Sequence, residues 1–169
     1  MTHPATIATR GWSLEELGFD GMHEAQDWWE SEAWEQIHDN AGYDPTDKRY
    51  FDLIQAFYHI YGIPLVSRTR VVFRTGDGYV IKVPITEEGV AANVYEVRLS
   101  SSENPIFPMA KTEFYKEHPV PCYLAVVKAE EVDPICYPQD EADFPDWVFI
   151  VDCQQVGYTK SGELVAYDA

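Results

Sequence analysis

The stretch that decides the fold is Arg70-Val-Val-Phe-Arg-Thr75, Gly76-Asp77-Gly78, Tyr79-Val-Ile-Lys-Val83. Its β-branched and aromatic residues are typical of strands, and an Asp-Gly pair between two such runs is a strong signal for a β-hairpin. Pro84 cannot donate to a sheet ladder, so the second strand is predicted to end there. The middle of the chain therefore begins with two antiparallel strands.

Downstream, Thr86-Glu-Glu88 has the capping residue and acids that open helices, and Val90, Val94 and Val97 predict one buried helix face ending near Ser100. Further elements follow along the chain. They are strands near Lys111–Tyr115, Tyr123–Lys128 and Trp147–Val151, a long acidic loop over Glu130–Asp146, and a final hairpin of Val156–Thr159 with Glu163–Tyr167.

Upstream, the chain is predicted to be helical. Ser13-Leu-Glu-Glu16 matches a capping box, and apolar residues at helical spacing predict one helix over Met22–Ile37. Asp47–Tyr61 is predicted as the next helix, which Gly62 and Pro64 end. The fold class is therefore α+β, with an acidic helical extension (residues 1–64) packed on an antiparallel sheet that carries one helix (residues 65–169), as a single globular unit.

The chain is strongly acidic, with 29 Asp and Glu against 12 Lys and Arg in 169 residues and a net charge of −17. DNA binding requires basic residues that release counterions, so direct nucleic-acid binding is not expected. The acids concentrate in two segments, twelve between Ser13 and Asp52 and seven in Glu130–Asp146. Two interpretations stay open: a solvated surface that keeps the protein soluble, or carboxylates that imitate nucleic acid and bind a basic protein surface.

The cysteines and histidines predict neither a disulfide framework nor a metal site. Cys122, Cys136 and Cys153 are odd in number and have no metal-type spacing, and the five histidines are scattered. No signal pattern and no membrane-length apolar run is found, so a cytoplasmic location without membrane partners is predicted. No cofactor is predicted for the interaction hypothesis.

The order of these elements resembles the small lobe of protein kinases joined to the hairpin that carries the metal-binding residues. Val80-Ile-Lys82 is similar to the strand whose lysine contacts nucleotide phosphates, and Glu96 follows fourteen residues later, where the family has the pairing glutamate. Gln155 to Asp168 resembles the metal-loop hairpin, which an Asn opens and an Asp closes. The resemblance covers Val66 to Asp168 and is closest to small, diverged, truncated kinase-like proteins of bacteriophages and mobile elements.

The chain departs from the kinase pattern at the residues that catalysis needs. Leu65 to Arg70 contains no Gly-rich loop, Ile150 stands at the register of the catalytic base, and Gln155 replaces the Asn. The helical lobe has no counterpart in this sequence. The resemblance therefore implies Lys82, Glu96 and Asp168 as cofactor-binding residues if a nucleotide binds, with no catalytic residue and no phosphate transfer. The alternative interpretation is that Lys82 is a surface lysine, that Glu96 faces solvent or pairs with the neighbours of Arg98, and that Asp168 is solvated.

The principal hypothesis is a non-catalytic, phage-type protein that inhibits a host nucleic-acid-handling or defence protein by binding its basic surface, with an oligomeric state that the sequence does not define. The partner-binding candidates are Glu24, Asp27, Glu30, Glu35, Asp39, Glu130, Glu131, Asp133, Asp140, Glu141 and Asp143. A diverged nucleotide-binding or phosphotransfer protein is the first alternative. An antitoxin-like regulatory partner, in which the acidity is incidental, is the second.

Overall fold

The computed structural model describes residues 11–41, 48–117, 124–135 and 144–168, and its architecture is mixed α+β, as predicted. The described helices are α1 (Leu14–Leu17), α2 (Met22–Glu30), α3 (Glu32–Ala41), α4 (Lys48–Tyr61) and α5 (Glu87–Ser101), with short 3-10 helices at Asp146–Ile150 and Asp152–Gln154. The described strands are β1 (Leu65–Val66), β2 (Arg70–Arg74), β3 (Tyr79–Pro84), β4 (Thr112–Phe114), β5 (Val127–Glu130), β6 (Asp133–Pro134), β7 (Val156–Tyr158) and β8 (Leu164–Ala166).

Two antiparallel sheets organise the molecule. The larger has the strand order β1-β2-β3-β5-β4, and the smaller has the order β6-β7-β8. The predicted hairpin is confirmed as β2 and β3, with Val72 opposite Lys82. Its turn places Gly76 at φ 86° and Gly78 at φ 101°, backbone conformations that side chains with a Cβ rarely adopt.

The hairpin has two chemically different faces. Val71, Phe73 and Ile81 are fully buried in the main core beneath the N-terminal helices. Because side chains alternate along a strand, Val72 and Lys82 point to the opposite face. That face forms one wall of a cleft, which residues Trp12 and Glu16 at the start of the extension also line, whereas the buried faces of the later N-terminal helices pack on the other side of the sheet.

The N-terminal helices share the core of the sheet. Of the predicted stripe Met22, Ala25, Trp29, Ala33 and Ile37, the last four are buried, and Met22 is half-buried against the same core. The prediction of one helix over Met22–Ile37 is wrong, since Ser31 leaves helical geometry at φ −124° and ψ −76° and separates α2 from α3. The stripe survives this break, because its residues still face the same aromatic cluster.

Helix α5 begins as predicted and buries a face that was not predicted. Thr86 caps it by accepting a hydrogen bond from the Gly89 amide at 3.0 Å. The predicted face of Val90, Val94 and Val97 is only half-buried, whereas Gly89, Asn93, Glu96 and Leu99 are buried. The spacing of the valines indicated the wrong face, because the face that is buried carries the polar side chains Asn93 and Glu96. These two side chains can be buried since they have charged partners on the sheet.

The C-terminal part differs from the prediction at three places. The apolar run Trp147–Val151 is a 3-10 helix over Asp146–Ile150 followed by Val151, and Val148 and Val151 pack into a second core with Phe107 and Val156. Strand β5 begins later than predicted, at Val127, and Tyr123 lies outside the described residues. The predicted acidic loop contains the end of β5 and all of β6, while its residues 136–143 lie outside the described part. The final hairpin is confirmed as β7 and β8.

None of the described helices has the length and apolar character needed to cross a membrane. Cys153 is a free, exposed thiol, and Cys122 and Cys136 lie outside the described residues.

Candidate functional site

The candidate site is a cleft of about 830 Å³ between the two sheets. Strands β2, β3 and β5 form one wall, the β7–β8 hairpin forms the other, and residues 130–134 connect the two sheets along one side. Small-molecule sites typically have volumes of roughly 300–1,000 Å³, so the cleft has room for a ligand of that class.

Lys82 projects from β3 at the inner end of the cleft. Its ammonium lies 2.5 Å from Glu96 Oε1 and donates a hydrogen bond to the Tyr167 carbonyl at 2.7 Å. The side chain is 7% exposed, so the surface-lysine interpretation is wrong. Burial lowers the pKa of Lys82, and the neighbouring Glu96 carboxylate partly offsets this effect.

Glu96 is the anion at the inner end of the cleft that contacts both buried cations, Lys82 and Arg70. Its side chain is 0% exposed, so the interpretation that places it in solvent is wrong. One carboxylate oxygen pairs with Lys82, and the other accepts a short contact from the guanidinium of Arg70. Two cations therefore satisfy one buried carboxylate, which keeps a charge out of water without leaving it unpaired.

Arg70 joins this pair to the C-terminal hairpin. Its guanidinium contacts Glu96, donates to Asn93 Oδ1 at 2.9 Å and pairs with Asp168 Oδ1, and its side chain is only 5% exposed. Burial tends to lower the pKa of Arg70, but the Glu96 and Asp168 carboxylates outweigh it and raise that pKa. The four charged side chains form a network of two cations and two anions, here called the inner ion network: Arg70, Lys82, Glu96 and Asp168.

Asn93 holds the backbone around this network. Fully buried on α5, it donates to the carbonyl of Lys82 at 3.1 Å and to that of Ala125 at 2.9 Å, while its own oxygen accepts from Arg70. Ala125 has φ 52°, a conformation that is uncommon for a residue with a Cβ. The side-chain amide of Asn93 therefore links α5, β3 and the segment before β5. These hydrogen bonds hold α5 in the position on the sheet that places Glu96 beside Lys82.

Asp168 is the outermost member of the inner ion network. Its side chain is 36% exposed and lines the cleft together with Gln155, so its sequence-based assignment to solvent is only partly right. The amide of Tyr167 donates to the Gln155 carbonyl at 3.0 Å, which holds the two ends of the hairpin together. The hairpin thus brings the carboxylate of Asp168 and the neutral amide of Gln155 to the cleft, which Lys160 of the same hairpin also lines.

A magnesium ion, which the kinase resemblance implies between positions 155 and 168, does not fit this donor set. One oxygen of Asp168 is already bound by Arg70, and Gln155 offers no charge. Within the described part of the chain, no group of three or more His, Cys, Asp or Glu side chains is arranged to hold a metal. Divalent magnesium is usually held by one or two carboxylates plus phosphates, and a guanidinium beside the carboxylate opposes it.

The outer part of the cleft is largely apolar, with charged pairs at its mouth. Val72, Val80 and Ala129 line the sheet side, and Tyr158 lines the hairpin side. Near the mouth, Arg74 Nε lies 2.5 Å from Glu131 Oε1, and another nitrogen of Arg74 lies 3.0 Å from Glu16. The cleft can therefore enclose a flat apolar group outside the inner ion network.

The predicted partner-binding carboxylates do not form one surface. Those on α2 and α3, namely Glu24, Asp27, Glu30, Glu35 and Asp39, are all exposed. Glu130 and Glu131 instead are half-buried at the cleft, and Asp133 is exposed on β6 at its edge. Asp140, Glu141 and Asp143 lie outside the described residues.

Sequence reasoning missed Arg70 and Asn93 as members of the site. Arg70 shares a strand face with Val72 and Arg74, opposite the apolar residues Val71 and Phe73, and this alternation was the available signal. Asn93 lies three residues before Glu96 and therefore on the same helix face, which was the corresponding signal on α5. The resemblance drew attention to Lys82 and Glu96 alone.

No protein-family model, no curated protein and no solved structure matches the chain.

Proposed function

We propose that this protein is a diverged kinase-like protein that binds a nucleoside- or nucleotide-type ligand in the cleft between its two sheets and does not transfer phosphate. The observation that carries the proposal is the buried Lys82–Glu96 pair, at 2.5 Å, inside a cleft of about 830 Å³ that Asp168 also lines. These are the three residues for which the kinase resemblance implies nucleotide binding.

The lining of the cleft supports this ligand class. Ligand sites are mostly apolar with a few placed polar groups, and here valines, alanines and tyrosines lead to a charged inner end. A planar base fits between apolar walls such as Val80 and Tyr158, and aromatic rings contribute beyond their buried area when they pack on another ring.

The absence of phosphate transfer is inferred from the groups that such chemistry requires. Phosphoryl transfer needs metal ions, a lysine and a base fixed together. Ile150, at the register of the base, has no proton-accepting group and is 62% exposed. Asp168 is engaged by Arg70. The remaining groups can position a ligand without completing the reaction.

Replacing Tyr158 by alanine tests where the ligand binds. We expect the affinity for a nucleoside, measured by calorimetry, to fall about two- to twelvefold, because an aromatic contact of about 0.5–1.5 kcal/mol is lost. Tyr95→Ala is the matched control: Tyr95 is 41% exposed on α5 and does not line the cleft, whereas Tyr158 is 45% exposed and does. Equal losses for both variants, or a wild type that binds neither a nucleoside nor a nucleotide, would remove the proposal.

A second candidate function, binding of a basic protein surface, is favoured by the outer face of α2 and α3. This acidic helical face, defined by Glu24, Asp27, Glu30, Glu35 and Asp39, is exposed, and residues 22–41 contain no Lys or Arg. A surface of one sign attracts a partner of the opposite sign, which speeds association and makes it dependent on salt.

Capture from a host lysate tests this second candidate. The variant Glu30→Gln, Glu35→Gln, Asp39→Asn is expected to lose a basic partner that the wild type captures at about 50 mM salt and releases at about 500 mM. The control carries the same charge change at three exposed positions elsewhere, Glu103→Gln, Glu113→Gln and Glu163→Gln. A captured protein that is indifferent to both salt and the helical substitutions would contradict an electrostatic interface.

A further inference from the structure

We infer that Arg70 takes the place of a divalent metal ion beside Asp168, so that the cleft selects an uncharged nucleoside over a metal–nucleotide complex. The metal part of this inference depends only on the inner ion network. The ligand part rests on the proposed function, because it names which member of the nucleoside and nucleotide class the cleft accepts.

The guanidinium of Arg70 already supplies the positive charge that a metal would bring. It is 5% exposed, bridges Glu96 and Asp168 and donates to Asn93 Oδ1 at 2.9 Å, so three separate acceptors fix its position. A magnesium ion bound to Asp168 would lie about 2 Å from a carboxylate oxygen. There it would be within a few ångströms of the guanidinium, and repulsion between like charges is strong where water is excluded.

The inner ion network is balanced without any added ion. Arg70 and Lys82 neutralise Glu96 and Asp168, and each of the two cations has contacts with protein acceptors. A metal would add two positive charges to a site that has no anion in excess. The inner ion network therefore needs no added ion, and it would be left with an unpaired buried charge if one of its own four charged side chains were removed.

The charges that line the whole cleft also disfavour phosphates. Five acidic and four basic residues line it, and of the basic ones Arg70, Lys82 and Arg74 are paired with carboxylates of the protein. Around them the whole chain carries a net charge of −17. Both cations at the inner end are already paired with carboxylates, so they are not available to bind a triphosphate without a metal. The negative charge of the protein also repels the triphosphate, whereas a nucleoside is uncharged and is not repelled.

Manganese broadening of backbone amide NMR signals tests the metal part. In the wild type we expect the Tyr167 and Asp168 signals to keep their intensity at a Mn²⁺ concentration that broadens amides of the exposed acidic helical face. Selective broadening of Tyr167 and Asp168 that Asp168→Asn abolishes would overturn the inference. Asp168→Asn is the informative variant because this side chain is 36% exposed and the buried Lys82–Glu96 pair stays intact.

Arg70→Met gives the converse test. When this variant is folded, Mn²⁺ is expected to broaden Tyr167 and Asp168 selectively, because the carboxylate is then free to bind it. A folded Arg70→Met protein whose two signals stay sharp would show that Arg70 is not the excluding group. If Arg70→Met fails to fold, the comparison of the wild type with Asp168→Asn decides the metal part alone.

Calorimetry with adenosine, with ATP, and with ATP plus Mg²⁺ tests the ligand part on the wild type. We expect adenosine to bind at least about tenfold more tightly than ATP and Mg²⁺ to change neither affinity. An affinity for ATP with Mg²⁺ that equals or exceeds that for adenosine would overturn the selectivity. If none of the three binds, the proposed function fails together with the ligand part, while the Mn²⁺ experiment still decides the metal part.

Discussion

Replacing Glu96 by alanine is expected to lower the free energy of unfolding by about 3–5 kcal/mol. The substitution removes the only anion that Lys82 contacts through its ammonium among the described residues, and one of the two anions that Arg70 contacts. Both cations are almost fully buried, so they cannot recover their hydration. Urea unfolding followed by far-ultraviolet circular dichroism measures the loss.

The control for this prediction is Glu88→Ala in the first turn of the same helix. Glu88 is exposed and pairs with Arg68 at 2.9 Å, a surface pair for which a loss of about 1 kcal/mol or less is expected. A charge-balanced double variant, Lys82→Met with Glu96→Gln, is expected to recover part of the loss, because Arg70 keeps Asp168. If Glu96→Ala cost no more than Glu88→Ala, the inner ion network would not be a structural unit.

Replacing Trp29 by alanine is also expected to lower the free energy of unfolding by about 3–5 kcal/mol, in this case because it opens a cavity in the core. Trp29 is 1% exposed, and its ring centroid lies 5.0 Å from that of Trp34 and 4.9 Å from that of Tyr58. Tyr58 follows Phe57, which in turn packs on Phe73 of the sheet at 5.6 Å. The cavity would therefore open in the core that the helical extension shares with the sheet.

Trp28→Ala is the neighbouring control for this core prediction. Trp28 is half-buried, and its ring packs at a tilt against Phe19 with 5.4 Å between ring centroids, so a smaller loss is expected. Thermal unfolding should show one cooperative transition for both variants, shifted further for Trp29→Ala. A Trp29→Ala protein in which the helices melt first and the sheet transition is unchanged would contradict the shared core and indicate an independent extension.

The hairpin β2–β3 and the helix caps were predictable because their signals are local. Gly76 and Gly78 mark a turn that requires positive φ, and Thr86 caps α5 through one side-chain oxygen. Helix α4 is similar, since its boundary coincides with Gly62, which has φ 85°. These features depend on a few adjacent residues, which a sequence displays directly.

The errors arose where distant contacts decide the local structure. The apolar run Trp147–Val151 is compatible with a strand by composition, but only Val148 and Val151 are buried, a spacing of three that suits a tight helical turn. The break at Ser31 does not change the apolar spacing on either side of it, so periodicity could not detect it.

The site was half predictable. The spacing of Lys82 and Glu96 led to the pair through the kinase resemblance, and the structure places these two side chains in contact. Arg70 lies in the predicted hairpin, but the sequence did not assign it to the site. Its partner Asp168 is 98 residues away, and no local pattern connects them. The inner ion network therefore depends on how the two sheets pack together, which local sequence patterns do not indicate.

The central claim is that the cleft between the two sheets is the ligand site. Chemical-shift mapping with adenosine on the isotopically labelled full-length protein tests it most directly. We predict saturable shifts in amides that line the cleft, including those of Val80, Ala129 and Tyr158, and no change along α2 and α3. Shifts confined to the acidic helical face, or no saturable shift at any accessible adenosine concentration, would contradict the claim.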